Sequence, residues 1–335
     1  MMTEKASQEP VPYPADHIDD LLAKAVRAPS VLNTQPWLFR VTKYSIEIYA
    51  DPARKLRTDL DGREMLISCG AALFGLRLAI RSIGYQPVVK LLPDLDRPKL
   101  LARVQLGEPV PMTDLERLML GALSHRHTHR GPFEPEPLPR GLLIGLQHDA
   151  VAEHATLALI DRPLAYGQLA SIVARAARSL DTETAARADA RQWVRRPDSQ
   201  ARDGVPASAI SPTADGQPGW LPQRDLDLGR GLSMLPAGGP PPTATAVLLT
   251  PGDTRADWIR AGQALHRLLA HAATRWVFAV LNSQPLETAS VRGLIRSRLG
   301  LPGAPQLLLQ LGVARTAHAT ARRPPSELID HDRPR

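Results

Sequence analysis

The chain has 335 residues, 43% of them hydrophobic and 22% charged, a globular balance with length for one large domain or two modest ones around a sizeable core. Its formal net charge is +7 and its pI about 9.9, which favours anionic ligands. Only six of the 41 basic residues are Lys, however, and the Arg residues are scattered rather than gathered into a stripe interleaved with aromatics, which argues against nucleic acid as a partner.

Helical spacing runs over 17–27, where Ile18, Leu21, Leu22, Ala25 and Val26 share one side, until Pro29 stops it. Two short strands, 38–41 and 45–49, follow around a turn at 42–44. Residues 62–83 read as a helix with little polar face, hence a buried one, and its Cys69-Gly70-Ala71-Ala72 patch suits close packing. Strands at 88–92 and 101–106 complete a first α/β unit. A second unit echoes that order at low identity, with a helix over 138–147, a strand over 155–160 and a long Ala- and Arg-rich helix over 166–190. From Trp193 to Pro242 the chain is rich in Pro, Gly, Ser and Asp without a sustained period, which makes it a functional or a disordered segment rather than a plain connector. Regular patterns return with a strand over 243–250, helices over 257–280 and 290–299, and a strand over 305–311. The near-identical pentapeptides Leu32-Asn33-Thr34-Gln35-Pro36 and Leu281-Asn282-Ser283-Gln284-Pro285 do not mark a repeat, because the first leads into a strand and the second into a helix.

Two segments carry most of the functional signal. Ala28-Pro29-Ser30-Val31-Leu32-Asn33-Thr34-Gln35-Pro36-Trp37 resembles the Pro-Ser-x-x-Asn-x-Gln-Pro-Trp signature of FMN-dependent nitroreductases, and Arg126-His127-Thr128-His129-Arg130 resembles that family's Arg-Arg-Ser/Thr-x-Arg phosphate motif. Ordinary members carry the basic motif first and are intertwined homodimers, each flavin bound by the basic motif of one subunit and the Pro-Ser-x-x-Asn segment of the other. Here the order is reversed and each motif occurs once, so the chain looks like a tandem fusion similar to the Acg-type actinobacterial branch. Gln284-Pro285-Leu286-Glu287-Thr288 is similar to the family's Pro-Ile-Glu-Gly element, with Thr in place of Gly, and Ala321-Arg322-Arg323-Pro324-Pro325 is similar to its C-terminal basic element.

The residue chemistry is compatible with this resemblance. Arg126 and Arg130 supply planar forks for a phosphate, Thr128 a hydroxyl and His127 a further donor, with Arg322 and Arg323 completing the pocket by resemblance. Taken alone, 124–130 is equally a solvated basic loop; three alternating histidines without Cys or paired carboxylates make a poor metal site, and none is expected. By resemblance, Pro29, Ser30 and Asn33 touch the ring or ribityl chain, Gln35 anchors the turn, and the stretch Pro285, Leu286, Glu287 and Thr288 presents the N–H groups of its last two residues to flavin N5 and O4. No general acid can be named, since the cofactor carries the reactive atoms.

The resemblance implies an α/β nitroreductase fold in two tandem repeats, residues 1–115 and 116–335, forming an internal pseudo-dimer with mixed sheets flanked by helices, and an insertion or lid at 193–242. It implies an FMN-binding oxidoreductase that takes hydride from transient NADPH or NADH and reduces nitroaromatics or quinones in ping-pong fashion, as a monomeric pseudo-dimer or a weak homodimer. The alternative is a protein that sequesters FMN with little turnover. Cys69 is the only cysteine, which excludes an internal disulfide and fits a reducing compartment. No signal-like segment opens the chain and no uncharged apolar run approaches the roughly 20 residues of a membrane span, so a cytoplasmic location without a membrane partner is expected.

Overall fold

The computed structural model describes residues 10–178, 180–210, 219–232, 242–315 and 320–330. Helix α1 (Ile18–Ala25) precedes strands β1 (Trp37–Val41) and β2 (Ile46–Ala50); helix α2 (Arg63–Ser82) then leads to β3 (Tyr85–Leu91) and β4 (Leu100–Pro109). These strands form one antiparallel sheet in the order β1-β2-β4-β3. After α3 (Asp114–Ala122), helix α4 (Arg140–Ala152) precedes β5 (Thr156–Leu159). Then come α5 (Pro163–Ala177), α6 (Leu180–Trp193), the short parallel pair β6 (Val194–Arg195) and β7 (Val205–Pro206), and β8 (Ala244–Thr250). Helix α7 (Arg255–Ala273), β9 (Val277–Asn282), α8 (Ala289–Leu299) and β10 (Ala304–Val313) complete the order, and the second sheet reads β5-β8-β10-β9. Within each sheet, the first, second, fourth and third strands in chain order therefore lie side by side.

Side-chain alternation explains how each sheet is covered. On β2, Ile46, Ile48 and Ala50 join the core of α1 and α2, while Glu47 turns to the other face and accepts from Arg103 Nε at 2.8 Å. On β8 both faces are apolar: Ala246 and Leu248 pack with α4 and α7, whereas Val247 and Leu249 pack with α5 and α8. The extra layer comes from α5, in the long connection between β5 and β8 that stands where the first sheet has only the turn at 42–45, and from α8, in the connection between β9 and β10.

Three expectations need correction. The helix expected over 166–190 is two helices, because Arg178 closes α5 with ψ near 4°, outside helical geometry. The counterpart of α2 in order and packing is therefore α7. The helix expected over 257–280 stops at Ala273, and Val277–Asn282 is a strand; Trp276 turns the chain with φ +56° in a place where no Gly or Pro marks the break. The segment 193–242 is partly regular, holding β6, β7 and a 3-10 turn at Ala207–Ala209; 211–218 and 233–241 lie outside the described residues.

Helices α2 and α7 cross at the centre with backbones in contact. A Cβ on Gly70 would lie 2.1 Å from the Ile259 carbonyl oxygen, and one on Gly262 would lie 1.9 Å from that of Ile67. Asp59 caps α2 by accepting from Glu64 N and Met65 N at 3.0 and 2.9 Å, and a Thr254–Asp257 capping box starts α7. Helix α2 has the length and apolarity of a membrane span, but 89% of its most apolar stretch is buried inside the protein, as in a core helix.

Two irregular segments extend the sheet edges. Phe39 N donates to the Leu328 carbonyl and Asp330 N to the Phe39 carbonyl, both at 2.7 Å, so the C-terminal tail runs along edge strand β1. The segment after α3 lies on the opposite edge of the other sheet, where His129 N donates to the Ala279 carbonyl at 2.9 Å.

The helix crossing supplies a first test. Gly262→Ala must push two backbones apart, at a cost of about 3 kcal/mol or more. Thermal unfolding should show a midpoint at least about 6 °C lower, whereas Gly293→Ala, inside α8 where a Cβ would meet nothing within 4 Å, should leave it unchanged or slightly higher.

Candidate functional site

A cleft between α2, α7 and the end of β9 holds about 1080 Å³ of atom-free space, open solvent at its mouth included. Helix α2 contributes Glu64, Ile67 and Ser68, and helix α7 contributes Leu265. The turn after α1 brings Pro29, Ser30, Val31 and Leu32, the end of β9 brings Val280 to Asn282, and the following turn brings Ser283 to Pro285. Thr128, His129 and Arg130 close one end; Ile210, Pro222, Gln223, Arg224 and Leu226, from the connection between β5 and β8, form a wall. The apolar sides suit a flat ring.

Of the residues singled out from sequence, Pro29, Ser30, Thr128, Arg130 and Pro285 line this cleft. Asn33 and Gln35 instead tie the first motif to its surroundings. Asn33 Nδ2 donates to the carbonyls of Gly204 and Ala321 at 2.9 and 3.2 Å, and its buried Oδ1 has no partner. Gln35 Nε2 donates to the Arg202 carbonyl at 2.8 Å while its Oε1 accepts from Arg323 N at 2.9 Å. Leu32, Asn33 and Gln35 all hold positive φ, between 44° and 54°. Such strain persists only where the surroundings enforce it, and these side-chain bonds do so.

Leu286 is buried against α5 and α8, and Thr288 occupies the N-cap position of α8 without a side-chain capping bond. The Glu287 N–H donates to the Gln284 carbonyl at 3.2 Å, so that donor is already used within the turn. Arg292 Nη1 holds the same turn through the Leu286 and Glu287 carbonyls at 2.8 and 3.2 Å. His127 is buried with its ring 4.3 Å from that of Phe278 and Nδ1 3.1 Å from the His125 carbonyl. Arg323 is turned toward Glu327, with Nη2 donating to the Glu327 carbonyl at 2.8 Å.

Arg126 and Arg322 form the chemically most demanding part of the site. Arg126 is 5% exposed; Nη2 donates to the Arg27 carbonyl at 3.1 Å, while Nε and Nη1 are buried without a partner. Arg322 Nε and Nη2 donate to the Val26 and Ala28 carbonyls at 3.1 and 3.2 Å, so both guanidinium groups gather at the end of α1. Burial and then the Arg27 charge draw Arg126 down to about 10; burial, Arg126 and Arg27 draw Arg322 down to about 9. Burial draws Arg130 down to about 10. Among the described residues no carboxylate pairs with Arg126 or Arg322. A guanidinium does not solve such crowding by losing its proton; it takes an anion, and the vacant N–H groups of Arg126 fit a phosphate.

Sequence reasoning missed Glu64, Arg224, Asn282 and His266. The available signal for Glu64 was a carboxylate at the start of an otherwise apolar helix. His266 is fully buried on α7, with Nδ1 donating to the Ala71 carbonyl at 2.7 Å; burial and the charges of Arg126 and Arg322 draw it down to about 3.

No protein-family model matches the chain. A Mycobacterium tuberculosis protein named Putative NAD(P)H nitroreductase is 33% identical over 304 residues, covering 90% of this chain and 86% of its own. The chain belongs to the nitroreductase family. A second M. tuberculosis relative, Putative NAD(P)H nitroreductase acg, is 27% identical over 320 residues, 94% of this chain and 95% of its own, which identifies the Acg-type branch of the family. Among solved structures, the FMN-dependent nitroreductase NfnB from Mycobacterium smegmatis in complex with NADPH shares 15% identity at a TM-score of 0.39, covering 66% of this chain and all of that one. A nitroreductase with bound FMN from Desulfitobacterium hafniense shares 14% identity at a TM-score of 0.41 with the same coverage. In this nitroreductase, the mixed helix-and-sheet architecture places the first motif, the basic motif and the 284–288 turn around one cleft.

The pH response of the FMN-free protein follows from His266. The unfolded chain takes up a proton below the ordinary value of 6.5, whereas the folded ring resists until about pH 3, so folding stability falls as pH drops between those values. The loss is about 2 kcal/mol by pH 5. Urea unfolding should show this acid limb in the wild type and a flatter one in His266→Gln.

Proposed function

We propose that the protein is an FMN-binding, NAD(P)H-dependent oxidoreductase with one composite flavin site built from both halves of an internally duplicated chain. The observation that carries this reading is the buried Arg126, two of whose nitrogens are unfilled, gathered with Arg322 at the end of α1 and sharing its motif with Thr128 and Arg130, which line the cleft together with Pro29, Ser30 and Pro285. The matching strand orders of the two sheets and the crossed-over tail support the duplication, with residues 1–115 and 116–335 as its halves. One chain then does the work of an intertwined pair, acting as a monomer or a weak homodimer.

Arg126, Arg322 and Arg130 would hold the phosphate, with Thr128 beside them. Val31, Leu32, Ile67, Leu265 and Leu307 would flank the ring, and Ser30, Ser68 and Asn282 offer polar contacts along its edge. When bound, FMN supplies a centre that accepts hydride from a nicotinamide and returns it to an electron-poor acceptor. The cleft is shared, so NADPH or NADH and the nitroaromatic or quinone acceptor would occupy it in turn, which is the ping-pong order.

Arg126→Ala should weaken FMN binding to the apo-protein by roughly 10- to 100-fold, the value of one charge-assisted contact. Asn33→Ala should weaken it less. Fluorescence titration that ranks Asn33→Ala as the greater loss would contradict the assignment of the phosphate to Arg126.

A second reading draws on the wall of the cleft. Leu226 shares an apolar cluster with Trp193, Val205 and Leu32, and Trp220 stacks on Phe133 with ring centroids 5.7 Å apart, so the connection between β5 and β8 is fastened over the site. Arg195 in the same connection pairs with Asp203 at 2.6 Å. Such a wall would hold FMN and restrict the nicotinamide, giving a flavin-sequestering protein with little turnover, because hydride transfer needs reacting atoms within about 3–3.5 Å. Replacing 211–241 by a short linker should raise the rate of flavin bleaching by NADPH in stopped flow while FMN stays bound; an equal or slower rate would remove the case for a blocking lid.

A further inference from the structure

Among the described residues, the end of the cleft away from the basic motif holds polar groups without hydrogen-bond partners. Two elements measure how far away it lies. Strand β9 passes the basic motif at Ala279, which pairs with Thr128 and accepts from His129 N, and ends at Asn282, roughly 10 Å further on. On helix α2, Gly75 packs on the Ala25 carbonyl, next to the carbonyls of 26–28 that hold Arg126 and Arg322. Glu64 lies eleven residues before Gly75, roughly 16 Å along the axis. Such a span suits a ribityl phosphate with its ring.

Glu64, Asn282 and Arg224 line the cleft at this far end. Glu64 is 4% exposed, and neither of its carboxylate oxygens has a hydrogen-bond partner. Asn282 Nδ2 donates to the Pro222 carbonyl at 2.9 Å, which fastens it to the wall two residues from Arg224, and its Oδ1 is unfilled. Arg224 donates Nη2 to Glu287, and its Nη1 is buried without a partner. The Arg63 charge stands beside Glu64 and offsets it, but Arg63 Nη1 donates to the carbonyl and side-chain oxygens of Gln306 at 2.8 and 3.0 Å. Glu64 is thus compensated in charge while still lacking donors, an arrangement that is costly until a ligand supplies them.

The unfilled set is mixed, and the mixture selects the ligand. Three acceptor atoms, two on Glu64 and one on Asn282, require N–H donors, whereas Arg224 Nη1 requires an acceptor such as a carbonyl oxygen. A quinone or nitro group offers acceptors only and leaves Glu64 unmatched. An ammonium group offers donors only and leaves Arg224 unmatched. An imide edge, one N–H between two carbonyls, meets both. We propose that Glu64, Arg224 and Asn282 form a subsite for the imide edge of the flavin's pyrimidine ring, with Glu64 accepting from the ring N3–H. The subsite rests on the flavin reading above. A charge-assisted bond of this kind discriminates against a flavin without that N–H. The Glu64 charge also opposes the negative charge that reduction brings to the pyrimidine ring, so it holds the bound flavin at a more negative potential than a neutral side chain would.

The test titrates the flavin-free full chain with FMN and with 3-methyl-FMN, which differs only at N3, and follows flavin fluorescence. The wild type should bind 3-methyl-FMN at least about tenfold more weakly than FMN. Glu64→Ala, which removes the acceptor and makes room for the methyl group, should bind the two alike. Glu64→Gln, the closest in shape, should hold FMN at a midpoint potential more positive than the wild type, read by anaerobic reduction against a reference dye; this variant decides the matter if Glu64→Ala does not fold. Equal binding of the two flavins by the wild type overturns the subsite and leaves the flavin reading standing. Undiminished discrimination in Glu64→Ala, or an unchanged or more negative potential in Glu64→Gln, overturns the role of Glu64. Failure of the wild type to bind FMN overturns the flavin reading and the subsite together.

Discussion

The α2–α7 crossing sets the position of everything else in the molecule. Each helix packs a glycine against a carbonyl of the other, Gly70 on Ile259 and Gly262 on Ile67, at separations no side chain can enter. Ile67 and Leu265, each about one turn or less from a glycine at the crossing, line the cleft. The shape of the cavity is thus fixed by backbone contact between the two helices. A larger residue there would widen the site as well as loosen the core, since close-packed interiors transmit such displacements.

Around this crossing the chain spends stability on charge. Arg126 is buried with two N–H groups unfilled, Arg322 crowds it, and His266 stays neutral beside both. Leaving cations unpaired in a low-dielectric pocket is costly, and the cost is recovered when an anion arrives, so ligand binding and folding are coupled in this region. The strained backbone at Leu32, Asn33 and Gln35 belongs to the same arrangement, because the bonds that enforce it run to the tail at 321–323 and to the connection at 202–204. First motif, tail and connection are held as one unit.

Much of this was legible in the sequence where local chemistry and tertiary role coincide. The apolar run of α2 with its small-residue patch reads directly as a buried helix, and the alternation at Ile46 and Ile48 as a half-covered strand. The first motif and the basic motif, far apart in sequence, do meet at one cleft. Other features escaped for physical reasons. The end of α7 is turned by Trp276 in a left-handed conformation rather than by Gly or Pro, so helical spacing ran on into β9. Helix α3 carried its own signal, the capping box of Thr113 and Glu116, which was overlooked beside the change of unit. Asn33 and Gln35 look like ligand contacts in a motif, but their amides are consumed by carbonyls supplied from more than 160 residues away. The placement of Glu64, at the start of α2, on the cleft wall beside Asn282 and Arg224 joins positions that no spacing rule predicts.

The central claim is that two halves of one chain build a single flavin site between them. Its most direct measurement is the amount of FMN released on denaturation, read from its visible absorbance against the concentration of chain. The account predicts one flavin per chain in the wild type and a large loss on removing Arg126. Two flavins per chain, or full occupancy without Arg126, would contradict it.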